Sequence, residues 1–407
     1  MSLLRYGIHG ASPCTPVVPG GLACLANARM RRTIAFMLLT CVAVRIAAGA
    51  DKEMGWPDPL PAPMTPEAAR TARAGLAYLV RMQRPDGRWA REVGIGYSVS
   101  MTSFAGLALL ASGSTPEEGP YAESLRRAIE YLVGAAERKG SGYINDNDGG
   151  KYPHEVGSWA HGYALLFLSQ CLGMELMPEM EEKVRAVLQR GTAFAMQDQN
   201  ALGGWYYSPV LRFGDYDGPT IAVLHGLQAC RNVGVHVPPK KIGRAVRFVL
   251  GAQVEDGGIA VVYPDYRNFR SEGRRQLSVA TLACFYTMGI CGSAMGGSGS
   301  YVKEVDRLTL FVDRVIDEGI GQRGHVHYTQ LYAALVRYQQ GGEAWPRYYE
   351  QQARTIVGLQ SGDGELCLFE TPISEVGSLF RTSICCIILQ LPLGYLPMAQ
   401  SWPMEYK

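Results

Sequence analysis

No Cys-x-x-Cys pair occurs anywhere in this chain, although it holds ten cysteines. A zinc site built on paired thiolates therefore has no support. The seven cysteines beyond residue 50, Cys171, Cys230, Cys284, Cys291, Cys367, Cys385 and Cys386, are odd in number and irregular in spacing, which argues against a disulfide framework. Cys171, Cys230, Cys284 and Cys385 fall in apolar runs, where a free thiol behaves as a small buried hydrophobe. An excess of one charge is missing as well, with 39 Lys+Arg against 37 Asp+Glu. No basic stripe remains to hold a nucleic acid. A membrane-spanning run is also lacking. The longest candidate, TIAFMLLTCVAV after Arg32, is followed by Arg45 and is too short to cross a bilayer stably.

That short run has a different use. Met30-Arg31-Arg32, the apolar stretch and Ala48-Gly49-Ala50 follow the order of a secretory signal, so residues 30–50 are expected to direct export, with cleavage after Ala50. Residues 1–29 are rich in Pro and Gly, without periodicity, and are expected to be an upstream extension. Residues 51–66 contain the Pro-rich linker WPDPLPAPMTP, which should run extended. Residues 67–398 carry the fold, and 399–407 a tail.

What is present is a repeated phrase: a helix ending in Gln, a Gly turn, often Trp, a loop, then a very apolar helix. It reads RAGLAYLVRMQRPDGRW from Arg73, RGTAFAMQDQNALGGW from Arg190, RAVRFVLGAQVEDGG from Arg244 and RTIVGLQSGDG from Arg354. A period of about 50 residues marks stacked helical hairpins that bury their faces against one another. The first helix of each pair carries a one-sided stripe, such as Ile242, Val246, Val249 and Leu250. The second, such as SWAHGYALLFLSQCLG from Ser158, is apolar nearly all round. A helix apolar on every side is buried on every side. The pattern thus predicts an all-α ring of six hairpins, an outer set of helices around an inner one. Gly113, Gly173, Gly234, Gly289 and Gly341 are expected to end five inner helices in the left-handed conformation. Long connections lead from outer to inner helices, so they should gather on one rim, where the inner helices begin.

The repeats resemble the QW motifs of squalene and hopene cyclases. Arg73, Ala74, Tyr78, Leu79, Val80, Gln83, Gly87 and Trp89 follow that order; Arg190, Gly191, Phe194, Gln197, Gly204 and Trp205 follow it with a longer turn. Residues 67–398 therefore look like a protein of the prenyltransferase and squalene-oxidase repeat superfamily, which implies an α6-α6 toroid. The ending IILQLPLGYLP is similar to that of exported repeat proteins in the same superfamily.

The resemblance locates chemistry to test. Class II cyclases use an Asp-x-Asp-Asp-Thr-Ala acid motif at the start of an inner helix. Here Asp215-Tyr216-Asp217-Gly218-Pro219-Thr220 keeps two acids, with Asp217 in the donor's place and Asp215 before it, and lacks the third. An acid strong enough to protonate an alkene needs a dry site and hydrogen bonds that hold its proton. Asp217 equally suits a helix start, with Pro219 in the first turn. The Asp-x-Cys zinc pattern of protein prenyltransferases and the Gly-Cys-Gly-Glu-Gln thioester run are both absent, and scattered histidines do not make a metal site; no metal or cofactor is expected. His161, His327, Trp159, Trp205, Tyr207 and Tyr216 are the candidate ligand contacts, as rim or cavity residues. The functional expectation is an exported repeat protein that takes an apolar, isoprenoid-like or polymeric ligand in the cavity or at the long-loop rim. A cyclase-like isomerase with Asp217 as acid and a periplasmic interaction scaffold are the alternatives.

Overall fold

In the computed structural model the described residues are 55–90, 97–145, 157–174, 176–209, 215–260, 262–263, 271–320, 325–369 and 377–400. All but Gly55 lie in the unit Trp56–Lys407, and the signal-like segment lies outside them. The described residues form twelve α-helices: α1 Pro66–Met82, α2 Ser98–Leu110, α3 Ala122–Lys139, α4 Gly157–Leu172, α5 Pro178–Asp198, α6 Asp217–Asn232, α7 Pro239–Gly251, α8 Ser271–Thr287, α9 Val302–Asp317, α10 Val326–Gln340, α11 Ala344–Gly358 and α12 Ser378–Gln390. Odd helices are outer and even ones inner. All six hairpins read from the sequence are present.

The local reasons are visible at α1. Thr65 accepts the Ala68 amide at 3.1 Å, Pro66 begins the first turn and Glu67 follows it, as a helix start requires. Its buried stripe is Ala68, Ala69, Ala72, Leu76 and Leu79. Inner α2, by contrast, buries every residue except Ser100. The inner helices pack in sequence and α12 returns to α2, while α1 packs on both α2 and α12. The ring is closed. Inner helices α4 and α6 touch by their backbones: a Cβ on Gly162 would lie 2.5 Å from the Ala222 carbonyl oxygen, and one on Gly226 2.4 Å from that of Gly162.

The repeated phrase is a staple between successive outer helices. Gln83 Nε2 donates to the Gly87 carbonyl at 2.8 Å and to the Ser124 carbonyl at the start of α3 at 2.9 Å. Gln199, not the Gln197 read from the sequence, does the same to Gly203 and Lys241 at 2.8 and 2.9 Å, so this turn is no longer than the first, and Gln253 does it to Gly257 and Glu304 at 3.0 and 2.9 Å. Each turn glycine has positive φ and lies against a carbonyl of the next outer helix: Gly87 on Arg127, Gly203 on Arg244, Gly257 on Arg307. Gly364 lies on Ala74 in the same way, so the last repeat staples to the first helix. A fifth copy that the sequence pattern hides, Gly142 on Arg190, has neither Gln nor Trp.

The residue two or so after each turn glycine ties inward. Trp89, Trp205, Ile259 and Leu366 donate their amides to Thr102, Thr220, Ser278 and Thr382 on inner helices, at 2.8–3.1 Å. Gly113, Gly234 and Gly289 have the positive φ expected of them; Gly341 does too, but at ψ −142° it is not left-handed helical, and Gly173 is not among the positive-φ glycines. One pair of two-residue strands joins two rim loops, β1 Asp215–Tyr216 antiparallel to β2 Val262–Tyr263, with Asp215 opposite Tyr263 and Tyr216 opposite Val262. Among the described residues no helix is long and apolar enough to cross a membrane.

Candidate functional site

Helical periodicity decides what meets on the ring's axis. Residues four apart share a helix face, so Trp159 and Tyr163 of α4 point the same way, as do Tyr328 and Tyr332 of α10. These helices stand opposite each other in the ring of six. Tyr163 Oη donates to Tyr328 Oη at 2.8 Å and lies 2.9 Å from Tyr332 Oη. Phe104 of α2 packs on Tyr163 at a ring-centroid distance of 4.5 Å and on Phe380 of α12 at 5.1 Å. The three hydroxyls satisfy one another in a dry place, and burial drives all three phenol pKa values up, so they remain protonated. Inner side chains thus fill the axis at this level.

Trp159 sits one turn nearer the rim, half-buried, with its indole 5.0 Å from the Tyr328 ring. A Cβ on Gly218 would lie 3.2 Å from its Cζ2, so the first turn of α6 rests on the indole edge. That turn begins at Asp217 and includes Pro219. The backbones of Asp215, Tyr216 and Asp217 are therefore on the rim close to Trp159; their side chains lie outside the description. The Trp159 Nε1 donor is buried and has no partner in the protein. The Ser158 amide donates to the Tyr207 carbonyl at 3.1 Å, which brings the Tyr207 segment to the same corner.

The other candidates lie elsewhere. Trp205 is 1% exposed, and its indole N–H donates to the Ala195 carbonyl at 2.7 Å, as Trp89 does to Leu79 at 2.7 Å. Both are wall residues between an outer and an inner helix. His161 takes the place of the inner-helix Thr or Ser in the second repeat: Nδ1 accepts the Ile144 amide at 3.2 Å, which leaves Nε2–H to donate to the Gly191 carbonyl at 3.1 Å. Both nitrogens are used, and burial lowers its pKa to about 4. His327 Nε2 accepts the Leu368 amide at 3.5 Å and lies 3.9 Å from Cys367 Sγ. Burial, then the charge of Arg381, lowers its pKa to about 4. Trp159, Tyr207 and the Asp215–Asp217 backbone come together; His161, Trp205 and His327 do not join them.

Three rim arginines among the described residues are spent on acids. Arg274 makes a two-pronged contact with Asp256 at 2.7 and 2.5 Å, Arg275 pairs with Glu318 at 3.3 Å, and Arg381 with Glu365. No cluster of three metal-ligating side chains occurs among the described residues. A wide concavity of about 470 Å³ on α11 is lined by Arg347, Glu350, Gln351, Arg354 and Thr355, but one helix cannot enclose a ligand. The axial residues Phe104, Tyr163, Tyr328, Tyr332 and Phe380 were not candidates in the sequence; the i, i+4 aromatic pairs 159/163 and 328/332 are the signal that marks them.

Fold and site together define an α/α toroid with a filled axis and an aromatic corner on its long-loop rim. No family model matches the chain, and no curated protein matches it in sequence. Solved structures do match in fold. A GH76 α-mannanase of Bacteroides thetaiotaomicron aligns with 81% of this chain and 96% of its own, at a TM-score of 0.56 and 11% identity. The GH76A α-1,6-mannanase of Salegentibacter sp. aligns with 80% and 99%, at 0.54 and 12%. A type II terpene cyclase from Scytonema, solved with geranylgeranyl dihydroxybenzoate, aligns with 81% and 98% at 0.49 and 14%, too loose a likeness to argue from. The neighbours are α/α toroids, and the toroid implied by the repeats is borne out.

Proposed function

We propose that this protein is an exported toroid that binds a polymeric glycan across its long-loop rim, with the Trp159 corner as the central contact. The observation that carries this is the hydrogen-bonded trio Tyr163, Tyr328 and Tyr332 on the axis, which leaves the rim as the place for a ligand. The half-buried indole of Trp159 offers part of an aromatic face, a surface on which a sugar ring can stack. Toroid neighbours that act on mannan accord with a polymer lying over such a rim, at the level of fold only. The cyclase alternative needs a dry apolar cavity beside Asp217, and a filled axis argues against it. Incubation with squalene should therefore give no cyclic product with the wild type or with Asp217→Asn.

Affinity electrophoresis through gels containing α-mannan and other polysaccharides tests the binding reading. The wild type should be retarded by at least one of them, and Trp159→Ala should bind about tenfold more weakly, about 1.4 kcal/mol, with an unchanged circular dichroism spectrum. Free migration through every polysaccharide, or retardation that Trp159→Ala leaves intact, would sink it.

Export belongs to the same reading and rests on the 30–50 segment. The seven free cysteines among the described residues are buried except Cys291, and buried thiols react slowly, so they do not oppose export. N-terminal sequencing of the protein from its native cell envelope should begin at Asp51. Recovery only from the cytosol, with residues 30–50 intact, would overturn export.

A further inference from the structure

A thiol and an imidazole meet at a second place on the rim, between α10 and α12. Leu366 donates its amide to Thr382 of α12 at 3.1 Å, and Leu368 donates to His327 Nε2 of α10 at 3.5 Å. Cys367 stands between these two ties, with its Sγ 3.9 Å from His327 Nε2. Because Nε2 accepts the Leu368 amide, it carries the ring's lone pair and Nδ1 carries the proton. That amide contact is long, so it holds the lone pair weakly. Phe369 packs at right angles to the imidazole, 5.4 Å away at 89°, and helps to fix the ring plane. The Cys367 thiol donates to the Phe369 carbonyl at 2.9 Å, and the Phe369 amide donates to Sγ at 3.4 Å. Once the thiol proton is gone, that amide remains to support the thiolate.

Two donors at this separation suit one metal ion between them. With bonds of ~2.3 Å to sulfur and ~2.0 Å to nitrogen, an ion spans the 3.9 Å at an angle of about 130°. A tetrahedral ion prefers a narrower angle and four ligands, and no third His, Cys, Asp or Glu joins the pair among the described residues. Of the ions that a thiolate selects, copper(I) is the one satisfied by two or three ligands. Charge leads to the same ion. A thiolate, a neutral imidazole and a monovalent cation sum to zero, whereas a divalent cation would leave a buried positive charge near Arg381, whose own charge Glu365 already matches. Burial also keeps His327 neutral down to about pH 4, so its lone pair is open at neutral pH. Cys367 is 9% and His327 5% exposed, which shields the pair from bulk water. Both sit at the loop end of the ring, in the connection between α11 and α12 and in the first turn of α10.

We propose that Cys367 and His327 form a two-ligand site for a soft monovalent metal ion, copper(I) or its analogue silver(I). On binding, the Cys367 S–H bond breaks and its proton leaves to solvent, a sulfur–metal bond forms, and the Nε2 lone pair makes the second bond. No electron changes hands, and the Leu368 amide gives up its long contact in exchange.

Anaerobic titration with copper(I) buffered by bicinchoninate, followed by copper K-edge absorption, tests the site. The full chain is used with Cys14, Cys24, Cys41 and the partly exposed Cys291 replaced by Ser, which removes background thiols. One equivalent should bind, with one sulfur and one nitrogen neighbour. Cys367→Ser should weaken binding at least a hundredfold and His327→Gln about tenfold, both with unchanged circular dichroism spectra. A shell of two sulfurs, which would mark the buried neighbours Cys385 and Cys386 instead, overturns the proposal. So does tight binding that survives either substitution, or a chain that takes up no copper(I). Should a variant not fold, the parent spectrum decides: one sulfur with one nitrogen supports the site, and any other shell refutes it.

Discussion

Gly87→Ala is expected to cost about 3–5 kcal/mol, a large part of the 5–15 kcal/mol that holds a typical domain together. Two effects combine. Gly87 sits at φ +87°, where a Cβ is disfavoured by roughly 1–2 kcal/mol. The added Cβ would also lie 2.1 Å from the Arg127 carbonyl oxygen and 2.6 Å from its carbon. Those atoms belong to helix backbone and cannot swing aside, so the α1 turn must lift off α3. The staple then fails as a unit, because Gln83 bonds both Gly87 and Ser124, and Arg127 Nη2 donates back to the Arg84 carbonyl at 2.5 Å. Gly234→Ala is the control, since Gly234 has φ +82° and nothing within 4 Å of a Cβ. It should show the conformational cost alone. Urea unfolding of both variants decides the matter: equal losses would mean that the close approach to Arg127 contributes nothing.

The same staple shows why part of this structure was legible in the sequence and part was not. Gln, Gly and Trp in a repeated order are local signals that located four repeats, and the striped and all-apolar helices completed the six hairpins. The copy at Ser141–Ile144 keeps only the glycine contact, and its inner partner is His161 rather than Thr or Ser, so no residue type gave it away. Ring closure brings Gly364 against Ala74, and although both lie in repeats that the sequence marks, nothing local says that they meet. The inner helices read as buried because they are apolar all round, yet burial against a neighbour and burial against the axis look alike. Hence the filled axis was missed, and Trp159 and Trp205 looked equivalent. Trp205 follows a Gly-Gly turn that tucks it into the wall, whereas Trp159 lies within an inner helix whose face turns to the centre.

Acid should begin to destabilise the fold at about pH 6.5, through its buried histidines. Burial lowers the pKa of His161, His225 and His327 from 6.5 to about 4. In that interval the unfolded chain binds protons that the folded ring refuses, so stability is full above about pH 6.5 and falls as pH drops toward 4. Each gap of about 2.5 pH units, at 1.36 kcal/mol per unit, corresponds to about 3 kcal/mol at most. Carboxylates enter lower down. Burial pushes Asp256 up, but its hydrogen bonds to Arg274 and Gly258 outweigh this and hold it below 3.8, so its contribution is lost progressively from about pH 5 downward. The loss between about pH 6.5 and 5 is therefore the histidines' own. His161 matters most, because its neutral ring must accept from Ile144 and donate to Gly191 together; a second ring proton would abolish the acceptor and release the second repeat from α4. Urea unfolding at pH 7.0, 6.0, 5.0 and 4.5 should show a steepening loss, and His161→Gln, which cannot titrate, should start less stable but lose less per pH unit. A flat profile down to pH 4.5 in the wild type would show that these three rings do not keep their protons out.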